Sequence, residues 1–259
     1  MVYFVGAGSG AADLITVRGA RLLAEADQII YAGSLVNPEL LEYKKDGCVV
    51  HNSAKMTLEE VISAIQEAEK EKKMTVRLHT GDSSIYGAIR EQMDLLDRLE
   101  IAYEVCPGVS SFCGAAAALQ LEYTLPGISQ SVIITRLEGR TPVPERESLA
   151  SLASHQATMV IFLSAGMTER LQQELLTGGY PASTPAAIVY KATWPEEKKI
   201  LCTVGTLAES AKREGISKTA LILVGEVISH SLYERSKLYD PSFTTEFRKG
   251  TKTDASGTD

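Results

Sequence analysis

Short apolar runs alternate along the chain with longer stretches in which apolar residues recur every three or four positions. Segments 2–5, 28–31, 48–51, 75–78 and 103–105 read as strands. Between them lie helix patterns. Thr57 opens one, Glu60 completes a capping box, and Leu58, Val61, Ile62, Ile65 and Ala68 form its apolar face. A second carries Ile85, Ile89, Met93, Leu96 and Leu99 on one side. The alternation predicts an α/β unit with a mainly parallel sheet. Around residues 121–130 the pattern breaks at the turn signal Leu125-Pro126-Gly127. It restarts with strand runs at 132–135, 159–163, 186–190, 200–203 and 220–224. Met167, Leu171 and Leu175 mark a helix ending at Gly178-Gly179, and Thr206 with Glu209 forms a second capping box before a stop at Gly215. Segment 138–148, rich in charge and proline, reads as an exposed connection before a short helix. The expected organisation is two α/β units, residues 1–125 and 126–240, each with a mainly parallel sheet, and a largely disordered tail over 241–259.

Composition narrows the class. The 259 residues are 44% hydrophobic and 23% charged, an ordinary globular balance. A net charge of -7 argues against a non-specific nucleic-acid binder but leaves room for an acidic small molecule held by a local basic patch. Neither a leader nor a run of bilayer-spanning length is visible, so a cytoplasmic protein without membrane contact is expected. Cys48, Cys106, Cys113 and Cys202 form no C-x-x-C pair and have no histidine cluster nearby. They read as reduced, buried thiols, and no protein-bound metal is expected.

Chemistry is expected in the loops that follow the strands, because ligands of open α/β sheets bind at the carboxyl ends. Gly6-Ala7-Gly8-Ser9-Gly10-Ala11 formally fits the G-x-G-x-x-A dinucleotide pattern. Two features oppose that reading. The helix begins nearer Thr16 than the glycines, and the second strand has its acid, Asp27, at the wrong end. The loop is instead read as closely approached by a ligand or by another backbone, with the ligand favoured. In His79-Thr80-Gly81-Asp82-Ser83-Ser84, Asp82 is either a turn or cap residue or an acceptor for ligand hydroxyl and amino groups. Ser110 and Ser111, after Cys106-Pro107-Gly108, either cap the next helix or face a ligand. No G-x-S-x-G elbow and no P-loop is present. Arg136 and Arg140 are either solvated or suited to hold carboxylates, and Lys191 and Trp194 are candidates for a cleft.

Taken together, VYFVGAGSGAADLITVRGARLL, LHTGDSSIYGAI, CPGVSSF, ATMVIFLSAG and STPAAIVYKAT resemble the tetrapyrrole methylase family over almost all of residues 1–240. Within it, YAGSLV, TGDSSIYGAIREQMD, TRLEGRTPVPERESLASLA and the late segment SKLYDP are similar to the branch that methylates C11 of precorrin-4 or its cobalt complex. A sibling acting on another precorrin carbon or on uroporphyrinogen III is the alternative. The resemblance implies two α/β domains, a homodimer, and S-adenosylmethionine bound in the cleft between domains, leaving as S-adenosylhomocysteine. It implies cofactor contacts from Thr80, Gly81, Asp82 and Ile85, and from Ser110 and Ser111. On the second-domain side it implies Leu163, Tyr190, Ala192, Thr219 and Ala220. Ser9 would face the substrate trough and the reacting methyl group. The substrate is polyacidic, so Arg136 and Arg140 are the expected carboxylate anchors, and no side chain is identified as a catalytic base. Ser9 and Ser83 stand where the family usually has proline, which predicts altered loop rigidity.

Overall fold

The structure is a computed structural model and describes residues 1–229, 233–234 and 236–251. The first sheet is built from β1 (Val2–Gly6), β2 (Gln28–Tyr31), β3 (Val49–Asn52), β4 (Thr75–His79) and β5 (Tyr103–Cys106). Its order is β3-β2-β4-β1-β5 and every ladder is parallel, as expected. Parallel neighbours need crossovers. These are supplied by α1 (Val17–Glu25), α2 (Leu58–Lys70) and α3 (Arg90–Arg98), while α4 (Ser111–Leu119) follows β5. Strand alternation divides the core. Val5, Ile29, Val76 and Leu78 pack under α1, and Phe4 and Ile30 pack with Val61, Ile62, Ile65 and Leu96 of α2 and α3. Both faces are covered, which is why these strands read as continuous apolar runs.

The second sheet comprises β6 (Val132–Arg136), β7 (Thr158–Phe162), β8 (Pro185–Tyr190), β9 (Lys198–Thr203) and β10 (Ala220–Val224), in the order β6-β7-β10-β8-β9. Only β6–β7 is parallel; the other three ladders are antiparallel. The mainly parallel expectation therefore holds for the first sheet and is corrected for the second, which is mixed. The connection from β8 to β9, residues 191–197, is too short for a crossover and forces a reversal. Helices α5 (Leu149–Ala153), α6 (Thr168–Thr177) and α7 (Leu207–Arg213) cover one face. The other face takes Ala115 of α4, which packs with Val160, Ala187 and Leu223. Helix α4 thus precedes the expected division at 125/126 in sequence but buries its small apolar side against the second sheet.

Local signals fared unevenly. The Thr57/Glu60 capping box forms as read. Thr206 does not cap α7; its hydroxyl accepts from the backbone N–H of Thr203 at 3.0 Å, and Gln172 Oε1 takes the N–H of Ala208 instead. Ile85 and Ile89 do not belong to α3, which begins at Arg90 because Tyr86 and Ala88 adopt φ of 55° and 49°. Of the cysteines only Cys106 is buried, and Cys113 is exposed, contrary to four buried thiols. In the expected tail, residues 241–251 carry hydrogen bonds such as Thr251 N–H to Pro241 O at 2.8 Å; residues 252–259 lie outside the described residues. Among the described residues no helix is long and apolar enough to cross a membrane.

Candidate functional site

The loops after β1, β4 and β5 press together backbone to backbone. Gly8 and Gly81 exchange two hydrogen bonds, at 3.2 and 3.0 Å, and Ala7 N–H donates to His79 O at 2.7 Å. A Cβ on Gly108 would stand 2.2 Å from Gly81 O and 2.7 Å from Gly6 Cα. A Cβ on Gly8 would meet Leu14 O at 2.7 Å, and one on Gly10 the Trp194 ring at 2.3 Å. The glycines of the first loop therefore accommodate neighbouring backbone and the Trp194 ring. Ser9 is the residue of that loop that lines the cavity, with its Oγ 3.3 Å from Thr193 Oγ1. Helix α1 starts only at Val17, after a 3-10 turn at Ala12–Leu14, so no helix N-terminus points at the glycines. That geometry agrees with the rejection of a dinucleotide site.

Asp82 is committed to the framework. One carboxylate oxygen accepts from the Ser84 N–H at 2.9 Å and the Ser84 hydroxyl, and the other from the Gly108 N–H at 2.8 Å. Burial acts to raise its pKa, but these hydrogen bonds outweigh it and hold the carboxyl below its ordinary range. Asp82 thus locks the β4 loop to the β5 loop.

The opposing wall comes from the second sheet. Leu163 follows β7 and Ala192 follows β8. Because β10 runs antiparallel to both, its first residue, Ala220, and Thr219 just before it arrive at the same edge. Between the walls lies a cavity of about 780 Å³. Eleven of the twelve expected cofactor residues line it, from Ser9 and the Thr80–Asp82 loop to Ala220. Tyr190 is the exception. Alternation along β8 turns its ring to the α6/α7 side, while Val189 faces the cavity. Leu163, Lys191 and Thr219 hold φ of 53°, 46° and 56°, backbone strain of the kind that gathers at ligand sites. The rings of Tyr86 and Phe162, 5.5 Å apart, bring the two halves together at the rim.

The cavity also has an arm that the sequence analysis missed. It runs along the α2/α3 face of the first sheet and is lined by Ser53, Met56, Thr57, Arg77, His79 and Gln92. Arg77 is only 6% exposed, and burial lowers its pKa to about 10. Burial, and secondarily Arg77, lower His79 to about 3, so its ring is neutral. His79 Nε2, Thr80 Oγ1 and Ser83 Oγ are buried without a protein partner among the described residues. The available signal was a charged residue inside an otherwise apolar run, Thr75-Val76-Arg77-Leu78.

Arg136 and Arg140 do not line the cavity. Arg136 donates to Thr141 O at 3.1 Å and Pro142 O at 2.8 Å, tying down its own loop, and Arg140 is exposed. Arg136 nevertheless acts electrostatically on the Tyr86 hydroxyl, whose pKa burial raises and Arg136 partly offsets. It therefore stands near the rim.

The main chamber suits an adenosyl amino acid. Ile85, Leu163 and Leu221 offer apolar wall, while Thr80 supplies an unused hydroxyl and Ser110 and Ser111 offer polar groups at the start of α4.

A family model described as Tetrapyrrole (Corrin/Porphyrin) Methylases matches residues 1–208. A Methanocaldococcus jannaschii protein named cobalt-precorrin-4 C(11)-methyltransferase is 54% identical over 251 residues, 97% of each chain. A solved structure described as cobalt precorrin-4 methyltransferase, a cobalamin biosynthetic enzyme, superposes with a TM-score of 0.86 at 47% identity, covering 88% of this chain and 95% of that one. A Thermus thermophilus uroporphyrin-III C-methyl transferase, solved with S-adenosyl homocysteine, superposes with a TM-score of 0.76 at 26% identity, covering 89% of this chain and 99% of that one.

Proposed function

We infer the chemistry of this cleft from one premise: the chain belongs to the tetrapyrrole (corrin/porphyrin) methylase family. It is an S-adenosylmethionine-dependent C-methyltransferase that methylates C11 of a precorrin-4-type tetrapyrrole in cobalamin biosynthesis. The observation that carries this reading is near full-length identity of 54% to a relative named for that reaction. The uroporphyrin-III enzyme, at 26%, is more distant in sequence and in fold superposition. The names on both the 54% relative and the 47% structure favour the cobalt-bearing macrocycle as substrate.

When bound, S-adenosylmethionine would supply an activated methyl group on sulfonium, with S-adenosylhomocysteine as the leaving group. The donor is already activated, so the protein needs no nucleophile. Its contribution is alignment and exclusion of water, which together lower a barrier by up to about 7–11 kcal/mol. Thr80, Gly81, Ser110 and Ser111 would hold the polar parts of the donor. Ile85, Leu163, Ala192, Thr219 and Ala220 would flank its apolar parts, and Ser9 would face the reacting methyl. Asp82 would act by fixing the loops that carry these groups. Arg136 and Arg140 would meet carboxylate arms that reach the rim. Residues 1–125 and 126–240 are the two proposed units, and a cytoplasmic homodimer is the proposed working form.

The test is a methyl-transfer assay with labelled donor on cobalt-precorrin-4 and precorrin-4 in parallel, with the product carbon located by NMR. Label at C11, with the cobalt complex turned over faster, is expected. Transfer to a different carbon, or to neither substrate, overturns the reading.

A further inference from the structure

Arg77 sits on β4 with 6% exposure, facing the arm of the cavity. A guanidinium has five N–H donors. Here Nε donates to Gln92 Oε1 at 3.0 Å and Nη1 to Ile30 O at 3.0 Å; Nη2 has no protein partner among the described residues. Gln92 is itself held in place, because its Nε2 donates to Ala88 O at 3.0 Å. The arginine is thus held at Nε and Nη1, and Nη2 is left over.

Among the described residues no carboxylate answers this charge. The acids on the cavity wall are Asp82, already committed to Ser84 and Gly108, and Glu91, which is exposed and makes no ion pair with Arg77. A buried cation without a counter-ion is costly. A fold that needed Arg77 only for packing would be better served by an apolar side chain of similar length. Two residues along the same face of β4 is His79, 4% exposed, with its Nε2 also lacking a protein partner among the described residues. Its neutral ring adds no second cation, so one anionic ligand balances the site. The hydroxyl residues Ser53 and Thr57 line the same arm.

We propose that Arg77, with His79 beside it, is an interior seat for one carboxylate arm of the tetrapyrrole. A carboxylate accepts two parallel hydrogen bonds from a guanidinium, which fixes direction as well as distance. Seating one side arm this way sets the rotation of the flat ring in the cleft and hence which ring carbon meets the methyl donor. The chain carries a net charge of -7, so it needs such a local cation to draw in a polyanion. The inference rests on the proposed function for its substrate class.

The experiment compares wild type, Arg77→Met and Arg77→Lys in three readouts. These are S-adenosylhomocysteine affinity by calorimetry, KM and kcat with cobalt-precorrin-4, and affinity for uroporphyrin III, a stable polycarboxylate probe. Arg77→Met should keep S-adenosylhomocysteine affinity within twofold while KM and the uroporphyrin Kd rise about ten- to hundredfold, the loss expected for a charge-assisted hydrogen bond. Arg77→Lys should fall between, since it retains charge without the fork. Unchanged KM and uroporphyrin affinity in Arg77→Met overturn the proposal. So does loss of S-adenosylhomocysteine binding in both variants, which would make Arg77 part of the framework. A wild type that binds uroporphyrin through Arg77 yet transfers no methyl group sinks the proposed function and leaves the anion seat standing.

Discussion

Leu163 combines two features that are each uncommon. It is 64% exposed although large and apolar, and its φ of 53° is left-handed. Replacing it with glycine separates the two. Relief of the left-handed backbone is worth about 1–2 kcal/mol. Against this, glycine's extra unfolded-state freedom costs about 0.5–1 kcal/mol. The third of the side chain already buried contributes about 0.5–1 kcal/mol more, from the 1.5–3 kcal/mol of a fully buried leucine. The opposing contributions cancel within about 1 kcal/mol. Ligand binding has no such offset. If the donor covers the exposed 64% of this side chain, its loss costs about 1–2 kcal/mol, or a five- to thirtyfold weaker Kd. Leu163→Ala is the control, because alanine loses the wall but keeps the strain. Urea denaturation and calorimetry with S-adenosylhomocysteine measure both quantities. Both variants should bind weakly, and the glycine variant should be the more stable, reversing the usual order of these residues. Wild-type affinity in Leu163→Gly would refute Leu163 as ligand wall, and an alanine variant more stable than the glycine variant would refute the strain.

Two further outcomes follow from the β4 and β5 ends. His79 has a folded pKa of about 3 against 6.5 when unfolded, so only the unfolded chain takes up the proton as pH falls between those values; folding stability should drop by about 2 kcal/mol from pH 7 to pH 5. His79→Gln should remove that slope in urea titrations at the two pH values, and an unchanged slope would contradict the burial argument. Gly108→Ala places a methyl 2.2 Å from Gly81 O with backbone on its other side, so overpacking should cost about 3 kcal/mol or more. A variant within 0.5 kcal/mol of wild type by urea denaturation would show that the three loops can part, since ordinary surface changes are about that small.

The strands were legible because apolar runs bounded by turn residues are a local property. All ten sequence segments coincide with observed strands to within two residues at either end. The Thr57/Glu60 box was legible for the same reason, since donor and acceptor lie three residues apart. The loops of the site were readable as motifs, and the family resemblance named eleven residues that do line the cavity. What the sequence by itself determined, then, was which segments become strands and which loops gather around the cavity.

Other features were set by neighbours distant in the chain. The antiparallel pairing of β10 with β7 and β8 depends on its insertion between them, which no run of residues announces. That insertion is also what delivers Thr219 to the edge occupied by Leu163 and Ala192. Tyr190 and Val189 are adjacent in one strand, and only the pleat and its packed helices decide which one sees the cavity. The glycines of the first loop look like a ligand cradle until Gly81, Gly108 and Trp194 are placed against them. Arg77 reads as a misfit in an apolar strand until the cavity beside it is known. A charge inside a protein has meaning only through what surrounds it, and beside its strand neighbour His79 the surroundings of Arg77 are Gln92 of α3 and Ile30 of β2, brought together by folding.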